Sequence, residues 1–239
     1  MDEYSSGLIP SQDKLEGGTA AVGWSVFDVW LGFGMYVVLT GFTILTALNF
    51  PALDASALLM VGVELFLLLP IGVIFLWRRV SWKELGFRKF EWSAIGLGCG
   101  LLLVVYAVII VHNMVMVSLG VVTQADAVFG IFDNLESPVL FFFVSVVMAP
   151  VMEEMFFRGF MFKGFRQKYG VKVALIVSSL IFAFSHFQLA AFLPTFLLGA
   201  TLAYVYHWTD SLFPGMILHF LVNAWGIGAM FAVYNFGAM

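Results

Sequence analysis

From Val173 to Thr209 the chain runs for 37 residues without an Asp, Glu, Lys or Arg. As one helix that run would reach about 55 Å at 1.5 Å per residue, well beyond the roughly 30 Å of hydrocarbon in a bilayer. It therefore predicts two membrane crossings joined by a turn, placed near Gln188–Pro194. Composition extends the argument to the whole chain. Of its 239 residues 62% are hydrophobic and 11% charged, where a soluble domain has about 25% charged residues. An ordinary soluble globule, a disordered chain and a nucleic-acid binder are excluded. A single cysteine, Cys99, rules out an intramolecular disulfide.

Further apolar runs complete an all-α, polytopic bundle of about seven spans, with eight possible. Residues 1–23 read as a soluble tail, lacking the basic start, short apolar core and cleavage site of a signal peptide. Spans follow at Trp24–Phe50 and Ser56–Trp77, separated by a loop with Pro51 and Asp54. Arg78–Glu91 alternates charge with Val80, Trp82, Leu85, Phe87 and Phe90, and reads as an interfacial amphipathic segment. A third span, Trp92–Val122, carries no charge. After a polar loop, Thr123–Ser137, the fourth span runs from Pro138 to about Phe162. A basic loop, Lys163–Lys172, leads to the fifth and sixth spans, and Phe213–Phe236 forms the seventh. The division expected is a tail (1–23), N-terminal spans (24–122) and a C-terminal functional bundle (123–239).

Charge placement orients these spans. Ten of the eleven basic residues fall at Lys14, within 78–89 and within 163–172. With seven spans these segments share one side, and the loops 51–55 and 123–137, without Lys or Arg, share the other. The positive-inside rule places the N-terminus in the cytoplasm.

The eleventh basic residue, Arg158, lies inside the fourth span with Glu153 and Glu154. A charge at mid-bilayer costs about 2.5–3.5 kcal/mol on insertion scales. Glu154 and Arg158 are four residues apart, so they share a helix face and can pair. Adjacent helical residues diverge by about 100°, so Glu153 cannot use the same arginine equally well. It needs water, another partner or a proton, and a carboxylate held beside water in a low-dielectric site is suited to general-base catalysis. Phe182 and His186 in the fifth span, and His219 and Asn223 four residues apart in the seventh, supply further polar groups. A structural role is open for each: a backbone carbonyl satisfies many buried histidines, and His219 with Asn223 suits interhelical hydrogen bonding. His112, Asn113 and Glu64 are weaker candidates. Asp28, near the cytoplasmic end of its span, is expected to be wetted, and His207 to sit at an interface without special role. Counting residues from the basic ends allows Glu153, His186 and His219 to converge mid-bundle, with access from the cytoplasm.

Glu153-Glu154-x-x-x-Arg158, Phe182-x-x-x-His186 and His219-x-x-x-Asn223, in order on apolar segments, resemble the CAAX prenyl protease and bacteriocin-processing family, also called Abi or type II CAAX protease-like proteins. Phe196-Leu-Leu-Gly199 and Ser211-Leu-Phe-Pro-Gly before His219 also fit. The resemblance covers about residues 137–226 and implies an intramembrane endopeptidase of a prokaryotic plasma membrane. It implies Glu153 as the base that activates water, His186 as a group that helps hold that water, and His219 with Asn223 as the oxyanion site. Glu154 and Arg158, with Phe182, would support them. The implied partners are a hydrophobic or prenylated peptide and membrane lipid.

No cofactor is expected. The alternative is zinc held by Glu153, His186 and His219, a His₂Glu set, although the His-Glu-x-x-His spacing is absent. Two other functions fit intramembrane Glu and His: a non-proteolytic immunity or regulatory partner of the same fold, and a proton-coupled transporter. The transporter reading lacks the internal repeat common in that class.

Overall fold

A computed structural model describes residues 21–49, 56–123, 126, 128, 129 and 137–236. Most of the tail, the loop 51–55 and most of the loop 123–137 lie outside these. The described residues are helical, with no strand among them. Among these residues six helices are long and apolar enough to cross a membrane. We label α1 Val26–Asn49, α2 Ser56–Arg78 and α3 Ser93–Ser118. The helical run Pro138–Phe184 spans 47 residues. It is interrupted at Gly170, whose φ of 76° and ψ of 173° are not helical, and the arms 138–169 and 171–184 are α4 and α5. Leu189–Thr209 and Leu212–Phe236 are α6 and α7. Counted this way the apolar helical segments among the described residues number seven, and the expected all-α transmembrane bundle is borne out.

Gly170 makes α4 and α5 a hairpin. The rings of Phe157 and Phe182 meet at 5.1 Å although 25 residues separate them, so the two arms run back along one another. The basic segment expected as a loop is instead helical as far as Tyr169. Its cations have partners that hold the helix in place. Arg166 bonds Asp210 at 2.7 Å and contacts His207 at 3.2 Å, and Lys163 donates to the Glu84 carbonyl. The turn between α5 and α6 also falls earlier than expected. It occupies Ser185–Gln188, with Phe187 at φ 51°, and Pro194 lies inside α6.

The amphipathic segment docks onto the C-terminal helices rather than lying free. A short 3₁₀ turn, Trp82–Leu85, is capped by the Ser81 hydroxyl, which accepts from Lys83 N. It ends at Gly86, whose φ of 110° suits glycine. Backbone carbonyls there become acceptors for the other half of the chain. Leu85 O takes the Tyr206 hydroxyl at 2.8 Å, Gly86 O takes Leu212 N at 2.9 Å, and Arg88 O takes the Ser211 hydroxyl at 2.7 Å. At the same end Val22 N and Trp24 O bond Gln167. The basic segments 78–89 and 163–172 thus meet at one end of the bundle, as the span count requires. Gln188 bonds Thr123 O at the opposite end.

Asp28 departs from expectation. It is fully buried, not wetted, because it holds Ser25 N at 2.7 Å and pairs with Arg78 at 2.9 Å, joining α1 to α2. The main core lies around the second half of α4, where Phe156, Phe157, Phe160, Phe162 and Phe165 pack with Trp24, Ile71, Ile74 and Phe75. α3 packs on α6 and α7 through Ala94, Gly98 and Leu102, and Leu102 joins Leu202, Val205 and Leu218 in a second, smaller core.

Candidate active site

α4 departs from α geometry twice, at the π-helical segments Phe143–Met148 and Glu154–Phe162. π geometry is rare and concentrates at functional sites. A local cause is visible for the first segment. Ala149 N bonds Val144 O, a five-residue step. The next such step would join residue 150 to Ser145 O, but Pro150 has no N–H to give. Asn223 of α7 donates to that carbonyl instead, at 2.8 Å. Asn223 therefore spends one of its two amide hydrogens on α4, and one is left for other use.

All nine residues of the second π segment are buried, and the charged group lies at its start. Arg158 Nη1 donates to Glu154 Oε1 at 2.7 Å, with both side chains about 1% exposed. The guanidinium also donates to Gly199 O of α6 at 3.3 Å and lies 4.4 Å from the centre of the Phe182 ring. Glu153 takes no part in this pair. Its side chain is 15% exposed, and its Oε2 is buried without a hydrogen-bond partner.

His219 sits between the two carboxylates. Its Nδ1 is 3.2 Å from Glu154 Oε1 and its Nε2 is 3.6 Å from Glu153 Oε2. A neutral imidazole carries hydrogen on only one nitrogen. Both contacts become favourable only with one more proton, on the ring or on Glu153. The structure thus places His219 against the glutamates, where the resemblance implied an oxyanion group.

Phe182 is the hub of the arrangement. Fully buried, it makes edge contacts with His186 at 4.9 Å and His219 at 6.0 Å. His186 lies two residues past the last helical residue of α5, not within the helix. Its Nδ1 donates to Phe182 O at 2.8 Å, leaving Nε2 as the acceptor of a neutral ring. The hairpin brings His186 to the level of Glu153, since Gly170 stands seventeen residues after one and sixteen before the other. Phe182 and Arg158, rather than a direct bond, link His186 to the glutamates.

The alternative zinc set is not gathered. Among the described residues no three His, Cys, Asp or Glu side chains are placed to hold a metal ion. The weaker candidates His112 and Asn113 contact each other at 3.2 Å, and His112 lines an apolar groove of about 550 Å³ between α3 and Leu193 of α6, apart from the motif residues.

The physical role of the two motif glycines is not apparent from sequence alone. A Cβ on Gly199 would lie 3.0 Å from Phe182 Cδ1, and one on Gly215 would lie 2.7 Å from Glu154 Oε2. Both permit helices to close on the Glu154–Arg158–Phe182 group. Ser145 and Pro150 also escape motif reading, because their part is played by a carbonyl and by a missing N–H.

The Bacillus subtilis (strain 168) protein "Putative membrane peptidase YdiL" is 27% identical over 104 residues, 44% of this chain and 43% of that protein. The chain thus aligns with less than half of that relative's length. No solved structure matches the chain. Residues 135–225 match the family model "Type II CAAX prenyl endopeptidase Rce1-like", so the resemblance carried by the three motifs is borne out across the segment that holds Glu153, His186, His219 and Asn223.

Proposed function

We propose that this chain is an intramembrane endopeptidase that hydrolyses a peptide bond with a glutamate-activated water. The observation that carries the reading is the division of labour between neighbouring glutamates. Glu154 is paired with Arg158 at 2.7 Å, while among the described residues Glu153 has no ion-pair partner beyond His219 at 3.6 Å. Glu153 is then the base. It takes a proton from water, whose oxygen attacks the carbonyl carbon of the substrate. The His186 Nε2 acceptor helps hold that water. The remaining amide hydrogen of Asn223, with His219, donates to the oxyanion, a type of contact worth about 3–4 kcal/mol per donor. The proton gained by Glu153 passes to the departing amine nitrogen as the carbon–nitrogen bond breaks.

The substrate class is a prenylated CAAX-type or other hydrophobic peptide. The bundle sits in a prokaryotic plasma membrane with its N-terminus in the cytoplasm, and the substrate enters from that side. Purified protein reconstituted in lipid, given a farnesylated CAAX peptide and its unprenylated counterpart, with and without chelator, tests these statements together. Cleavage of the farnesylated peptide in both conditions is the expected result. Absence of cleavage of either peptide, or full turnover by Glu153→Ala and His186→Ala, contradicts the mechanism.

A further inference from the structure

The basic residues divide into two groups. Four are committed inside the fold: Arg78 pairs with Asp28, Arg158 with Glu154 and Arg166 with Asp210, and Lys163 donates to the Glu84 carbonyl. Six others, Arg79, Lys83, Arg88, Lys89, Lys168 and Lys172, are exposed and form no ion pair among the described residues. These six share one end of the bundle. Gly23 N bonds the Glu84 carboxylate, while Val22 N and Trp24 O on either side of it bond Gln167. The Ser211 hydroxyl, next to Asp210, donates to Arg88 O. The acids of this end are largely taken up by the protein itself. Asp28 and Asp210 hold arginines and Glu84 holds Gly23 N, so among the described residues here Glu91 alone is an exposed acid.

Three indoles stand outward at the same end. Trp77 closes α2 and is 61% exposed, Trp82 opens the 3₁₀ turn at 41%, and Trp92 precedes α3 at 75%. Trp82 and Trp92 bracket Lys83, Arg88 and Lys89 in the chain. An acidic soluble partner would account for the cations but not for exposed indoles between them. A lipid leaflet accounts for both, since tryptophan favours the headgroup level and clustered Lys and Arg beside a span attract anionic headgroups. We propose that this end of the bundle is a binding surface for anionic phospholipid, with Arg79, Lys83, Arg88, Lys89, Lys168 and Lys172 receiving the phosphates. The surface reaches the site through backbone. Gly86 O and Arg88 O hold Leu212 N and the Ser211 hydroxyl at the start of α7, the helix of His219 and Asn223. Lipid that steadies 79–89 therefore steadies the start of α7. Neither statement depends on the peptidase reading.

Thermal unfolding of the purified full-length protein in neutral detergent, with added phosphatidylglycerol or phosphatidylcholine of the same acyl chains, tests the surface without a substrate. We expect the anionic lipid to raise the midpoint by about 5 °C over the zwitterionic one, as a ligand of the folded state does. The difference should vanish in about 1 M salt, where the Debye length is about 3 Å. The variant Arg79→Gln/Lys83→Gln/Lys89→Gln/Lys168→Gln should lose most of it, with its midpoint in phosphatidylcholine as the check on folding. Equal midpoints in the two lipids, or a difference that survives salt or the four substitutions, overturn the proposal. An equal rise with inorganic phosphate alone, or with polyglutamate alone, also overturns it, because the surface then reads a free anion or an acidic protein. The wild-type comparisons decide the matter even should the variant fail to fold. Hydrogen exchange tests the link to α7: phosphatidylglycerol should slow exchange at Leu212 N more than at Leu119 N, at the far end of α3. Equal slowing at the two amides overturns that link.

Discussion

Gly215 of α7 faces the carboxylate of Glu154 so closely that a methyl group in place of its hydrogen would stand 2.7 Å from Oε2. The carboxylate is held in place, since its other oxygen accepts from Arg158 at 2.7 Å and contacts His219 at 3.2 Å. Gly215→Ala is expected to cost about 1–3 kcal/mol, as overpacking does, and to lower turnover together with stability. Gly228→Ala, on the same helix with open space around it, should leave both unchanged. Thermal unfolding of the two variants in detergent checks the contrast.

Arg158→Ala removes the cation from a carboxylate that has no route to water. Loss of one partner of a buried ion pair costs about 3–5 kcal/mol, so the variant should be strongly destabilised. Adding Glu154→Gln to Arg158→Ala should recover part of the loss by removing the stranded charge. Unfolding midpoints of the single and double variants measure the coupling.

Asn223 and Pro150 are linked through one carbonyl. Asn223→Leu leaves the half-buried Ser145 O without its donor, at about 1 kcal/mol, the low end for an unsatisfied group. Pro150→Ala supplies a backbone N–H five residues along the same helix. In that background the stability cost of Asn223→Leu should shrink, while peptide cleavage should stay impaired if Asn223 is the oxyanion donor proposed above. Parallel unfolding and cleavage assays separate the two roles.

Glu153→Gln should lose about 10²–10⁴-fold in turnover, the range for a general base, with little loss of stability, because Glu153 belongs to no arginine pair. Glu154→Gln should behave differently, losing stability as well as rate. Size-exclusion profiles, unfolding curves and single-turnover rates distinguish a chemical role from a structural one.

Much of this was legible in the sequence, for physical reasons. Hydrophobic runs and the clustering of Lys and Arg report the bilayer directly, so the seven segments and the common side of 78–89 and 163–172 followed. The i,i+4 spacing of Glu154 and Arg158 likewise announced their pair. What escaped were relations made through backbone or between distant helices. The helix continues through Lys163–Tyr169 because Glu84 O, Asp210 and His207 receive its cations, and none of these lies nearby in sequence. Asp28 looked like a wetted residue because its partner, Arg78, is fifty positions away. His219 meets both glutamates only after α7 closes on α4.

The break at Gly170 acts as the zero mark of a ruler. Removing one residue from the α5 arm would pull His186 along its axis by about 1.5 Å and swing it by about 100°, turning Phe182 away from Arg158 and His219 with it. A matching deletion in the α4 arm would restore the height but not the facing of the side chains. Variation in this stretch of the chain is therefore confined to substitution, and any change of length must be accommodated elsewhere.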